Sequence, residues 1–253
     1  MTGGRLVEWI VDGSEILMAA MKVAMVGERD GRIEVKQLSP ADADQVVDLE
    51  RRSFIPSLQA QRETVLKRFK LGHRMIGACR NGHLIGLACY SYGTLNPADI
   101  RTLPKSEKEL CLQNVPCEYD TVFLYNLELD PSHRGGSLWR RLVTTALIQA
   151  RTDRCRHGVA NVRVVSYAGG DPRYPQDRGT HKPDVREAID AYLAGGPFPD
   201  ETILEQDPLL GLYHRVPGCR FLWIVPNYAP DDLATGGIRI ILYFDLPAGR
   251  SRL

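Results

Sequence analysis

From Leu124 to Leu142 the chain reads Leu-Tyr-Asn-Leu-Glu-Leu-Asp-Pro-Ser-His-Arg-Gly-Gly-Ser-Leu-Trp-Arg-Arg-Leu, and no other stretch restricts the fold as tightly. The run Thr121 to Asp130 is the most apolar in the chain and predicts a buried strand, which Pro131 stops. Leu138, Leu142, Ala146, Leu147 and Ala150 share one face of a helix expected over Gly136–Thr152. Between strand and helix lie Gly135 and Gly136, which let the backbone turn tightly and approach a ligand. A helix N-terminus exposes unpaired N–H groups and about half a positive charge, so this corner is an anion site, to which Arg134 adds a guanidinium fork. The competing reading is that the glycines only turn the chain.

The other elements follow from local pattern. Ile33 to Leu38 alternates like a half-buried strand. Ser39-Pro40, followed by Asp42 and Asp44, starts a helix with Val46, Val47, Leu49 and Phe54 inward. A second helix is expected from Gln59 to Leu71, ended by Gly72. Asn81-Gly82 joins strands Met75–Arg80 and His83–Tyr92 as a hairpin. Residues 93–120 read as a polar insertion, and Val159 to Tyr167 as a strand. Residues 168–205 form a second insertion rich in Gly, Pro and charge, with a helical stretch near Val185–Leu193. A short helix Leu209–Arg215 and strands Cys219–Val225 and Ile238–Leu246 close the order β-α-α-β-β-β-α-β-(insert)-α-β-β.

Composition narrows the functional classes. A net charge of +1, from 32 basic and 31 acidic residues, lacks the basic excess of a nucleic-acid binder. The apolar stretch Ile16 to Val26 is broken by Lys22 and too short to span a bilayer, so no membrane role is expected. Residues 1–31 read as an amphipathic appendage or an over-extended start, and 247–253 as a tail. No pair of the six cysteines has CxxC spacing, which points to no metal and to a reducing, cytoplasmic compartment. A homodimer is left open.

The Leu124–Leu142 stretch resembles the acyl-CoA loop of the GNAT N-acetyltransferase superfamily, whose pattern is Arg/Gln-x-x-Gly-x-Gly/Ala. Arg134 meets the basic position, Ser137 stands where the first Gly is usual, and Trp139 where Gly or Ala is usual. The resemblance covers residues 32–246 and implies an α/β (α+β) GNAT fold. That fold is a mixed central sheet with helices on both faces, whose splayed parallel strands, here Phe123–Asp130 and Val159–Tyr167, bind acyl-CoA. It implies acetyl-CoA, or another acyl-CoA, as co-substrate. Its pyrophosphate would lie on His133, Arg134, Gly135, Gly136, Ser137 and Leu138, and its pantetheine arm along Leu127 and Leu129.

The C-terminal third is similar to a GNAT subgroup found in the loading modules of polyketide assembly lines and fused to carbon–nitrogen hydrolases. The matching residues run Asp207-Pro-Leu-Leu, Tyr213-His214, Gly218, Ile224-Val-Pro-Asn-Tyr-Ala-Pro-Asp-Asp232 and Tyr243-Phe-Asp-Leu. The likeness implies Tyr213 as the acid that protonates the departing CoA thiolate. It implies His214 as the residue assisting malonyl-CoA decarboxylation and acetyl transfer to a carrier-protein thiol, with Ser166 near a second such position. The basic residue that follows Pro-Asn-Tyr in that group is Ala229 here. Glu128 falls where many GNAT enzymes place the base that deprotonates an amine. Alternation puts it opposite Leu127 and Leu129, and the alternative is a solvent-facing carboxylate. Arg173 and Arg178 in the second insertion are candidate partners for an anionic acceptor. The expected activity is direct acyl transfer from CoA to a small-molecule amine or a carrier-protein thiol. The alternatives are a malonyl-CoA decarboxylase that loads a carrier protein, and a non-catalytic acyl-CoA-binding protein.

Overall fold

Asn81 and Gly82 both adopt left-handed backbone (φ 52° and 80°), the two-residue turn whose twist matches that of paired strands. The turn joins β2 (Arg74–Arg80) to β3 (His83–Gly93) in a computed structural model that describes residues 33–168 and 182–246. The appendage expected over 1–31, Arg173, Arg178 and the 247–253 tail lie outside the described residues. With β1 (Ile33–Gln37), β4 (Thr121–Leu129), β5 (His157–Arg163), β6 (Cys219–Val225) and β7 (Arg239–Asp245), the strands form one seven-stranded sheet in the order β1-β2-β3-β4-β5-β7-β6. Only β4 and β5 are parallel neighbours; every other pairing is antiparallel.

Helices cover both faces. On one lie α1 (Ala43–Ser53), α2 (Arg62–Lys70) and α3 (Glu107–Leu112), whose Val46, Leu49, Val65 and Leu110 pack with Phe123 and Tyr125 of β4. Ser39 and Asp42 cap this entry reciprocally, with Ser39 N–H donating to the Asp42 carboxylate at 2.8 Å. On the other face lie α4 (Leu138–Thr152), α6 (Pro183–Leu193), α7 (Glu201–Leu204) and α8 (Pro208–His214), after a short turn of helix α5 (Val165–Ala168). Leu142, Leu147, Val185, Ile189, Leu204 and Leu210 are fully buried there, each contributing roughly 2 kcal/mol of apolar burial.

Several boundaries differ from the sequence expectations. The strand expected over Val159–Tyr167 ends at Arg163, the last residue paired with β7, and gives way to helix α5, where Asp207 takes the Ser166 N–H at 2.7 Å. The helix expected from Gln59 starts at Arg62, after a 3-10 turn over Pro56–Leu58. The helix expected from Gly136 starts at Leu138, which leaves Gly136 and Ser137 outside it. The segment 93–120 is not merely polar, since α3 puts Leu110 and Cys111 into the core. The described part of 168–205 likewise supplies Val185, Ile189 and Leu204 to the core. No helix among the described residues is long and apolar enough to cross a membrane.

Strand β4 departs from regular pairing on both of its edges. Its pairing with β5 runs only from Thr121↔His157 to Leu124↔Ala160, although β4 continues to Leu129 and β5 to Arg163, so the strands part beyond that point. On its other edge, Leu124 pairs with Tyr90 and Asn126 with Cys89, so Tyr125 is an extra, bulged residue. The bulge resets the alternation. Phe123, Tyr125, Asn126 and Glu128 face the α1–α3 side, while Leu124, Leu127 and Leu129 face α4. Buried His73 holds the bulge: its Nε2 meets the Gln113 carbonyl (2.8 Å), which can only accept, so Nδ1 accepts from the Tyr125 hydroxyl (3.0 Å).

Candidate active site

Past the fork, β4 ends in a turn capped by Asp130, which accepts from Ser132 N–H (3.0 Å) and hydroxyl (2.6 Å). Those Ser132 bonds foremost, with Arg52 (2.7 Å), hold the Asp130 carboxyl down at about 2. Gly135 then takes a left-handed φ of 84°, with open space where a side chain would stand. The N–H groups of Gly135 to Trp139 donate to no other described residue, and Arg134 to Ser137 are exposed. Five consecutive free amides at the start of a fifteen-residue helix form an anion cradle. Ser137 supplies its N–H from the exposed N-cap position, while Leu138 and Trp139 turn their side chains into the core. Arg134 bends back instead, donating from Nε to Leu129 O and from Nη2 to Ser53 O (3.2 Å each). The His133 ring rests on the Ser132 hydroxyl at 3.0 Å.

Glu128 is not solvent-facing. It is 3 % exposed, and neither carboxylate oxygen has a hydrogen-bond partner. Burial first, and the Glu50 carboxylate second, push its pKa well above the ordinary range. Glu50 reaches the same place from α1, accepting from Ala60 N and Asn126 Nδ2 (3.2 Å each), and burial raises its pKa too. The Arg68 guanidinium lies over the Tyr125 ring, 5.4 Å from its centroid, and its charge partly offsets that rise at both carboxylates.

Tyr213, on α8, is buried against Trp139, with ring centroids 6.1 Å apart, and its hydroxyl bonds to no described residue. Burial raises its pKa strongly, which keeps the phenol protonated until a stronger base appears. His214 has different neighbours. Its Nδ1 lies 2.7 Å from Glu205 Oε1, its Nε2 3.3 Å from Glu201 Oε2, and its ring stacks on Phe221 at 5.0 Å. Both ring nitrogens are therefore occupied by carboxylates, and the structure does not bring His214 and Glu128 together. Buried Asp207 caps α8 through Leu209 N–H (2.9 Å) and Leu210 N–H (3.1 Å), and also takes the Ser166 N–H.

Sequence reasoning missed a polar network on the β5 side of the fork. Asp232, with no exposed side-chain surface, accepts from Arg163 Nε (2.7 Å), Arg239 Nη1 (2.9 Å) and Thr235 Oγ1 (2.9 Å). Burial opposes its charge, but the two guanidiniums keep its pKa below the usual range. Arg239 Nε also meets Glu107 Oε2 at 3.3 Å, and Asn161 Nδ2 donates to the same oxygen at 3.1 Å. Asp232 lies inside the motif that carries the resemblance, which is the only local signal of this network. Among the described residues no group of His, Cys, Asp and Glu is placed to hold a metal ion, and all six cysteines are free thiols.

No curated protein matches this sequence. The model of the Acetyltransferase (GNAT) family matches residues 43–168. Among solved structures, the chain is similar to the GphF GNAT-like decarboxylase in complex with isobutyryl-CoA, at 22% identity over 84% of this chain and 99% of that one, with a TM-score of 0.62. It is similar to the loading GNATL domain of CurA from Lyngbya majuscula, at 16% identity over 85% and 98% of the two chains and a TM-score of 0.59. A GNAT-family structure from Desulfovibrio desulfuricans gives 16% identity, 85% and 99% coverage and a TM-score of 0.50. The matched residues run from α1 through α5 and include the fork, the bulge and the free amides, and the chain belongs to the GNAT superfamily of acetyltransferases.

Proposed function

We propose that this protein transfers an acyl group, most simply acetyl, from CoA to an amine by direct attack. The observation that carries this reading is the buried, unpartnered Glu128 carboxylate on the same parted strand that leads into the free amides of Gly135 to Trp139. In the reaction the amine nitrogen attacks the thioester carbon and the carbon–sulfur bond breaks. The proton leaving nitrogen passes to Glu128 and on to solvent, while Tyr213 gives its phenolic proton to the thiolate and recovers one from water. The loop His133 to Leu138 holds the pyrophosphate through the free amides from Gly135 onward, and β4 at Leu127 and Leu129 lies along the pantetheine arm. His214 acts by pinning α7 to α8, which keeps its neighbour Tyr213 in place. A cytoplasmic setting is part of the proposal, since free thiols suit a reducing compartment.

Decarboxylation is the rival, favoured by the fold shared with GphF and CurA. A malonyl carboxylate would meet Glu50 and Glu128, with Ala229 where the related domains carry a basic residue. Two measurements decide: acetyl-CoA is expected to bind in calorimetry, and malonyl-CoA to release no carbon dioxide. No heat with acetyl-CoA would end the transferase reading, and carbon dioxide release would reverse the choice. Tyr213→Phe is expected to lower kcat about 10²-fold or more and leave acetyl-CoA affinity intact, because a general acid acts only in the transition state. Wild-type turnover in that variant would take Tyr213 out of the mechanism.

A further inference from the structure

Unsatisfied polar groups inside a folded protein are few, because each costs on the order of 1–3 kcal/mol. Among the described residues three that carry acceptors, Glu128, Asn161 and Tyr228, lie on both sides of the fork between β4 and β5, on the α1–α3 face, where Arg68 Nε is a buried donor also without a partner. On the β4 side are both oxygens of Glu128. On the β5 side is Asn161, the first residue past the last β4–β5 pair. A carboxylate only accepts, so the Asn161 amide nitrogen faces Glu107 (3.1 Å), which leaves its buried Oδ1 without a donor. Beside Glu107 is Tyr228, 1 % exposed, whose carbonyl accepts the Glu107 N–H at 2.9 Å and whose hydroxyl has no partner.

These groups share a chemistry. Glu128 and the Asn161 carbonyl oxygen only accept, and the Tyr228 hydroxyl also accepts. A ligand that satisfies them must bring donors to both sides of the fork. Glu128 stands on β4, Asn161 on β5 past the point where the strands part, and Tyr228 in the turn after β6, so an amine with a single polar group cannot satisfy both sets.

Resting on the transferase reading above, we propose that the acceptor is a small bifunctional amine, an amino alcohol or diamine. Its reacting nitrogen lies at Glu128, and its second donor is read by Asn161 Oδ1 and the Tyr228 hydroxyl. Asn161 and Tyr228 are then specificity-determining residues that touch the acceptor, and a plain alkylamine leaves them unpaired.

The test compares kcat/KM for alkylamines with that for α,ω-amino alcohols and α,ω-diamines of matched length, in the wild type, Tyr228→Phe and Asn161→Leu. The wild type is expected to favour the bifunctional acceptors about tenfold, the value of one satisfied buried hydrogen bond. Tyr228→Phe removes only a hydroxyl that bonds to nothing, so the variant is expected to fold. It should bring bifunctional acceptors down toward the level of alkylamines, and Asn161→Leu should do the same. A preference for diamines alone would assign the second donor as an ammonium drawn by Glu107; an equal preference would assign a neutral or charged donor alike. No preference in the wild type, or its survival in both variants, overturns this proposal while leaving the transferase reading intact. Transfer to no amine, with acetyl-CoA still bound, overturns both.

Discussion

Glu128→Gln is expected to slow acyl transfer about 10²- to 10³-fold while acetyl-CoA still binds, because a general base contributes that much and the substitution keeps the shape of the side chain. The same variant should be more stable than the wild type at neutral pH and above. Glu128 is buried without a donor, next to Glu50, so its folded pKa lies well above the ordinary carboxylate value. A folded state that holds a proton more tightly than the unfolded chain has its full stability below the unfolded pKa. It loses that stability as pH rises through the folded pKa. Glutamine cannot ionise, so the two proteins should converge in acid and separate as pH increases. In the wild type, kcat/KM should rise with pH through an acid limb set above the usual carboxylate range, and that limb should be absent from the variant. Urea unfolding across a pH series and a pH–rate profile read the two effects separately. Normal turnover in the variant would remove Glu128 from the mechanism, and equal stability at high pH would contradict the burial argument.

Asp232→Ala should cost about 3–5 kcal/mol, enough to lower Tm by on the order of 10 °C in a domain of this size. The carboxylate lies fully inside between Arg163 and Arg239, whose side chains are 17 % and 8 % exposed. Removing it takes from both guanidiniums their shared buried carboxylate and leaves the Thr235 hydroxyl only the backbone oxygen of residue 232, at 3.4 Å. Asp232→Asn keeps the shape and loses the charge, so it should fall between the two. The depressed pKa gives this contribution the opposite pH sense from Glu128. It is present above the unfolded pKa and lost as pH falls through the folded one, so the gap between wild type and Asp232→Ala should close in acid. A constant gap at all pH values would mean that packing, not charge, sets the loss.

Local chemistry announced much of this fold. Asn81-Gly82 could be read as a hairpin because two left-handed residues suit that turn. The strand, turn and helix from Thr121 to Thr152 were visible because burial imposes a period on each. Trp139, a residue at odds with the loop pattern, resolves once the helix is seen to turn the indole onto Tyr213. What stayed hidden depends on distant partners. The bulge at Tyr125 is set by pairing with β3 and braced by His73, fifty-two positions away. Glu107, Asn161, Asp232 and Arg239 lie on four separate segments and meet only after the sheet forms, so no spacing betrays them. The partners of His214 were hidden in the same way. His214 follows Tyr213 in sequence, but the two rings have different surroundings, and Glu201 and Glu205, which meet the His214 nitrogens, come from a separate segment.

The bond from Ser166 N–H to Asp207 joins points forty-one positions apart, and Asp207 also begins the helix that bears Tyr213. The anchor of that helix therefore reaches back to α5, while Val185, Ile189 and Leu204 between those points fill the core and Glu201 and Glu205 meet His214. One substitution at Asp207 would thus release α5 and the first turn of α8 together.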